Sequence, residues 1–170
     1  DDMIEDILER FDFTRAEPGS TLVVGDITGQ LSPALESRGF AVESVGPDEI
    51  DEERPYPSTY RYLLSLGALD TLNDLPGALM LMRHALEPGG MMIAQCLGAG
   101  TLPAMRQAVQ VADRERTFAR IHPQIDRPAA SGLMSRAGFA KQVVDSRTLR
   151  ARYGDFNRLV ADLRAGDDGA

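Results

Sequence analysis

Apolar residues recur at helical spacing in residues 3–13, MIEDILERFDF, where Ile4, Ile7, Leu8 and Phe11 share one face. An amphipathic helix is predicted there. Glu17-Pro18-Gly19-Ser20 marks a turn, and the apolar run at 22–24 predicts a short strand. Ser32 followed by Pro33 has the form of an N-cap with proline at the first helical position. Gly39 closes that helix, and FAVESV, residues 40–45, alternates as a second strand. Strand, helix and strand within about 25 residues make the βαβ unit from which parallel sheets are built.

Residues 46–58, GPDEIDEERPYPS, carry acids and prolines and predict an exposed connection. YRYLLSL, residues 60–66, predicts a third strand that ends in Gly67. Asn73-Asp74-Leu75-Pro76 predicts a helix start, with Leu75, Leu79, Met82 and Leu86 on one face and Pro88-Gly89-Gly90 as the stop. MMIAQCL, residues 91–97, predicts another buried strand, followed by a helix through Met105, Ala108, Val109 and Ala112. A short helix near 131–137 is closed by Gly138. Two strands then follow, at 141–145 and 148–153, the second alternating Leu149, Ala151 and Tyr153 with Arg150 and Arg152. Asp155 caps a closing helix with Phe156, Leu159, Val160 and Leu163 inward. The expected fold is a single α/β domain over residues 1–170. It is a doubly wound, mostly parallel sheet with a C-terminal antiparallel hairpin.

The chain has 170 residues, 43% hydrophobic and 26% charged, which suits a globular domain with a real core. Apolar runs such as 91–94 are far too short for a membrane span, and the acidic start at 1–10 lacks the apolar segment of a signal peptide. One cysteine, Cys96, excludes an internal disulfide and a cysteine-rich zinc site, and a cytoplasmic location follows by default. No set of His, Asp and Glu has metal-ligand spacing. The net charge of −8 argues against a nucleic-acid partner. Arg114, Arg116 and Arg120, and again Arg147, Arg150 and Arg152, form either solvated faces or an anion site.

TLVVGDITGQL, residues 21–31, has the layout of a nucleotide-binding loop: apolar strand, glycine-bearing turn, helix start. It resembles the cofactor loop of the class I S-adenosylmethionine-dependent methyltransferases. Three further stretches carry the resemblance: LLSLGALDTLNDLPGALMLMRHALEPGG (63–90), IHPQIDRPAASGLMSRAGF (121–139) and VVDSRTLRARYGDFNRLVADLRA (143–165). The most similar branch contains the malonyl-carrier methyltransferase of biotin synthesis and the related mitochondrial complex I assembly factor. The resemblance implies a Rossmann-like sheet with the cofactor across the carboxyl ends of its strands. It also implies S-adenosylmethionine as cofactor, held by Gly25, Asp26, Ile27, Thr28 and Gly29, by Gly46, by Asp51 or Glu52, and by Ser65, Leu66, Gly67 and Ala68.

Against the family pattern the site is eroded. Ile27 stands at the middle glycine position, bringing a β-branched side chain where the methionine moiety would lie, unless the loop turns it into the core. Val23 replaces a frequent acid at the end of the first strand. By register the ribose-binding acid falls at Gly46, leaving Asp48 or Glu49 as substitutes. Asp51 or Glu52 resembles the acid that contacts the adenine amino group; the alternative is a solvated acidic loop. The family also has a helix and a strand between strands two and four that this chain lacks. Either part of the nucleotide pocket has been shed, or a segment is omitted.

Methyl transfer from a sulfonium depends mainly on alignment and exclusion of water, so no catalytic triad is required. Asp70, at the tip of the third strand, is a candidate base or a helix-proximal cap. His122, in the loop IHP, is a candidate base or carboxylate-orienting group, or a structural histidine. His84 lies on a polar helix face, and Cys96 is expected to be an inert core thiol. Asp70, His122 and Arg120 are expected to share one cleft able to hold an acidic acceptor, whether small molecule or protein segment. Three functions follow from the resemblance: a methyltransferase, an inactive binding or assembly protein of the same fold, or a hydroxylase like the complex I relative, which hydroxylates an arginine of a partner.

Overall fold

The computed structural model describes residues 2–112 and 124–167. Four strands form one sheet: β1 (Ser20–Val24), β2 (Ala41–Val45), β3 (Tyr60–Leu66) and β4 (Leu86–Gln95), in the order β2-β1-β3-β4. All pairings are parallel; Leu22 lies opposite both Glu43 and Leu63, and Leu64 opposite Ile93. The apolar runs of the sequence are thus neighbours in one parallel sheet, as their patterning predicts. The inner strands β1 and β3 are buried on both faces, which is why they read as near-continuous apolar runs, while β2 at an edge has no fully buried residue.

The described helices are α1 (Asp2–Thr14), α2 (Leu31–Glu36), α3 (Leu75–His84), α4 (Pro103–Ala112), α5 (Arg127–Arg136) and α6 (Phe156–Asp167). On one face of the sheet, Ile4, Ile7 and Phe11 of α1 and Leu31 and Leu35 of α2 pack on Val23 and Leu64. On the other, Leu79 and Met82 of α3 pack on Leu22, Val24 and Leu63, with Leu133 and Met134 of α5 at the margin. Helices on both faces make the sheet doubly wound. Phe11, Phe40 and Tyr62 meet with ring centroids 5.0–5.7 Å apart in tilted and edge-on contacts. No helix among the described residues is long and apolar enough to cross a membrane.

Three helices end alike. After α2, Phe40 N–H donates to Leu35 O and Gly39 N–H to Glu36 O, with Gly39 at φ 86°. After α5, Phe139 and Gly138 repeat the pattern onto Met134 and Ser135, with Gly138 at φ 88°. After α1, Ala16 and Arg15 do so onto Phe11 and Asp12, with Arg15 at φ 51°. These are Schellman closures, which need a left-handed residue just past the helix.

Several expectations are corrected. Ser32 does not cap α2; Gln30 occupies the cap position, and the carboxylate of Asp26 accepts the Leu31 N–H at 2.8 Å. Ser32 instead lies in the first turn, with its hydroxyl 2.7 Å from that of Ser44. The helix expected near 131–137 begins at Arg127, with Asp126 accepting the Ala129 N–H at 2.8 Å. β4 starts at Leu86, so Pro88-Gly89-Gly90 lies inside the strand, where a register shift accompanies Gly89 at φ 82°. Residues 141–153 hold no strand, and the C-terminal antiparallel hairpin is absent. Its apolar side meets no sheet: Val143 is 85% and Leu149 60% exposed, and an isolated two-stranded hairpin is marginal in water. Asp155 does cap α6, accepting the Arg158 N–H at 3.0 Å, yet Phe156 faces solvent and Leu159 and Val160 are only half-buried.

Candidate functional site

The connection from β1 leads to β2 on one side, whereas β3 continues to β4 on the other. The topological switch point therefore lies between β1 and β3, at their carboxyl ends. Two loops meet there, 25–30 and 67–73. Gly25 has φ 86°, and a Cβ on it would stand 2.6 Å from the Ala68 Cβ and 3.0 Å from Leu66 O. Only glycine allows this approach. Gly29 (φ 62°) and Gly67 (φ 70°) have no atom within 4 Å of a would-be Cβ, so both border open space.

Ile27 has no positive φ and is 50% exposed. The reading in which the loop turns it into the core is thereby corrected. The loop keeps its shape through Asp26: Oδ1 accepts from Thr28 N–H at 3.2 Å and Thr28 Oγ1 at 2.7 Å, and Oδ2 from Leu31 N–H. The side chains of Asp26 and Thr28 are thus engaged inside the loop.

Three acids on the β2 side, Glu49, Asp51 and Glu52, are engaged as well. Gly46, just past β2, has extended backbone (φ −65°, ψ 163°) and donates its N–H to Glu49 Oε2 at 3.0 Å. Asp51 Oδ1 accepts from Glu53 and Arg54 N–H at 3.0 and 3.1 Å. The carboxylate of Glu52 accepts from Asn73 N–H at 3.0 Å and from Asp74 N–H, fastening the 46–58 connection to the start of α3. Asp48, Glu49, Asp51, Glu52, Glu53 and Asp74 border an open depression of about 630 Å³.

Ser65, Leu66 and Ala68 are buried beneath the switch point, and Gly67 N–H donates to Gln95 O at 2.9 Å, tying the ends of β3 and β4. Asp70 is half-buried in the loop beyond β3. Cys96 lies past the end of β4 and is exposed, so the core placement is corrected. Desolvation by the surrounding protein, with the charge of Asp70, still pushes its thiol up to about 11. It stays protonated near neutral pH and is a poor nucleophile. His84 is exposed, with Nδ1 2.7 Å from Met80 O. His122 and Arg120 lie outside the described residues, as do Arg114 and Arg116.

Two polar groups passed over in the sequence lie at the end of β4 and on α4, the helix that follows it. Gln95 closes β4 and donates from Nε2 to Asp6 Oδ2 on α1. Arg106 of α4 donates from Nε to Thr101 O at 3.2 Å. For Gln95 the available signal was a polar residue closing an apolar strand; for Arg106 it was a lone cation in an otherwise uncharged helix. Among the described residues no group of three or more His, Cys, Asp or Glu could hold a metal ion.

No family model matches the chain. It is 32% identical over 147 residues to the mitochondrial arginine-hydroxylase NDUFAF5 of Danio rerio, covering 84% of this chain and 45% of that protein. It is 26% identical over 174 residues to malonyl-[acyl-carrier protein] O-methyltransferase 1 of Coxiella burnetii, covering 93% and 60%. The chain thus spans between 45% and 60% of these two relatives. Its fold superposes on Haemonchus contortus phosphoethanolamine N-methyltransferase 2, solved in complex with S-adenosyl-L-methionine, with a TM-score of 0.64 at 16% identity, covering 98% of this chain and 41% of that one. By its homologues and its fold, the chain belongs to the class I S-adenosylmethionine-dependent methyltransferase family.

Proposed function

We propose that residues 1–170 act as one methyltransferase-like domain that binds S-adenosylmethionine and transfers its methyl group to a small-molecule or protein acceptor. The observation that carries this reading is the glycine loop at the switch point. Gly25 brings the β1 and β3 loops into contact, while Gly29 and Gly67 leave open space beside them. The residues fit the cofactor on this side, where backbone groups of 25–29 and 65–68 would hold it. On the β2 side Gly46 carries no acid, and Asp51 and Glu52 bond to backbone N–H groups of their own chain. Losing one charge-assisted hydrogen bond of about 1.5–3 kcal/mol lowers affinity roughly ten- to a hundredfold. Binding is therefore weak but specific.

Bound S-adenosylmethionine supplies an electrophilic methyl group on a sulfonium sulfur. The protein's share is to align the acceptor atom with that methyl and to exclude water. Asp70, just beyond β3, is our candidate for taking the acceptor proton, with His122 as the other. With a single cysteine the chain forms no internal disulfide, and we place the protein in the cytoplasm. Calorimetric titration with S-adenosylhomocysteine tests the reading. Saturable one-to-one binding is expected; no saturable heat up to about 1 mM ligand, where binding would be weaker than about −4 kcal/mol, rejects it.

A further inference from the structure

Ser65 Oγ, Gln95 Oε1, Arg106 Nη2 and Gln124 Oε1 are buried atoms with no hydrogen-bond partner among the described residues. All four lie at or beyond the carboxyl ends of β3 and β4, with Ser65 on the α3 face of the sheet and Gln95 on the α1 face. Ser65 lies near the carboxyl end of β3 and Gln95 closes β4, while Arg106 and Gln124 both attach to the loop that leaves β4. Arg106 Nε donates to Thr101 O, Thr101 Oγ1 donates to Gly98 O at 2.7 Å, and Ala99 N–H donates at 2.9 Å to the carbonyl of Ile125, the neighbour of Gln124. Buried polar atoms are nearly always paired, so orphans at one end of a sheet are satisfied either by solvent or by a ligand.

The chemistry of the set is specific. A guanidinium cannot shed its charge, and an unpaired buried donor on it is the most unfavourable orphan of the four. Gln95 is oriented by the Asp6 carboxylate, which takes its amide N–H, so its carbonyl oxygen is left to accept. Gln124 likewise leaves a carbonyl oxygen open. One cationic donor with two carbonyl acceptors suits an anionic group flanked by an N–H or O–H donor.

We propose that Arg106 is a specificity-determining residue of the acceptor site, binding a carboxylate or phosphate of the acceptor through Nη2, while Gln95 and Gln124 take adjacent N–H or O–H groups. Its assignment to the acceptor rests on the methyltransferase reading above. The test follows the arginine Nε–Hε signals of the whole chain by NMR during separate titrations with acetate and inorganic phosphate, at ionic strength held constant with chloride. One signal should shift saturably, and it should be the one that Arg106→Gln removes. In that variant affinity for the preferred anion falls by about tenfold or more, and Arg106→Lys, which keeps the charge but not the fork, recovers part of it. Whichever of acetate and phosphate binds tighter identifies the group recognised. An Arg106 signal unmoved by both anions, or anion affinity equal in wild type and Arg106→Gln, overturns the proposal and leaves solvent as the partner. S-adenosylhomocysteine binding, measured in parallel, should be the same in all three proteins. If it is absent while the Arg106 shifts persist, the methyltransferase reading falls and the anion subsite stands.

Discussion

Ile27 shows how far a single position can be read before its surroundings are known. The glycines on either side take positive φ, as the motif requires, and both were legible because few other residues tolerate that conformation. Ile27 itself needs no such conformation and stands half in solvent at the loop. Ile27→Gly should tighten S-adenosylhomocysteine binding by roughly tenfold, about 1.4 kcal/mol, by clearing side-chain volume from the methionine end. The accompanying loss of folding stability should not exceed about 1 kcal/mol, which paired calorimetry and thermal melts would resolve. Equal affinities would mean that the side chain points clear of the cofactor. The acids were harder to read. That Asp26, Glu49, Asp51 and Glu52 would bond to nearby backbone depends on how loops approach in three dimensions, and a carboxylate in a sequence does not name its partner. Nor does Gly46 reflect backbone need, since its extended conformation suits any residue.

Elements were legible wherever an apolar face met a partner. The four strands follow from period and turn residues, and the first helix from its stripe of Ile4, Ile7 and Phe11. The C-terminal alternation was equally regular, but periodicity reports only a potential face, and residues 141–153 have no sheet to lie against. Helix ends offer a sharper comparison. The same Schellman closure is made with Gly39, Gly138 and Arg15, and only the last bears the left-handed penalty of a side chain. Arg15→Gly should stabilise the protein by about 1 kcal/mol, less the extra freedom of glycine in the unfolded chain. Urea midpoints of variant and parent would show it; a lower midpoint for Arg15→Gly would mean that the arginine side chain contributes more than its backbone strain removes.

At the scale of the whole molecule, α1 is fastened to distant parts of the chain. Arg10 bridges Asp6 at 2.8 Å and Asp145 at 3.0 Å, and Asp6 also takes the amide of Gln95. The hydrogen bond from Arg10 is the main reason that the Asp6 carboxyl sits below its usual range, against an opposing desolvation effect. A folded pKa below the unfolded one favours folding above the unfolded pKa, near 3.9, and that contribution disappears as pH falls through the folded value. Asp6→Asn should therefore be less stable than the parent from neutral pH down to about 5, with the gap narrowing below about pH 4. A gap unchanged by acid would show that packing, not charge, links α1 to the sheet. Among the described residues no strand pairs with the outer side of β4, and this has a different consequence. Because Gly67 N–H reaches Gln95 O and Leu66 lies opposite Gln95, residues 93 and 95 turn their amides toward β3, while Met92 and Ala94 turn theirs away. In deuterium exchange the strand should then show a beat of two, Ile93 and Gln95 retaining protons long after Met92 and Ala94 have lost theirs, so that one strand reports the sheet's stability from its paired side and solvent access from the other.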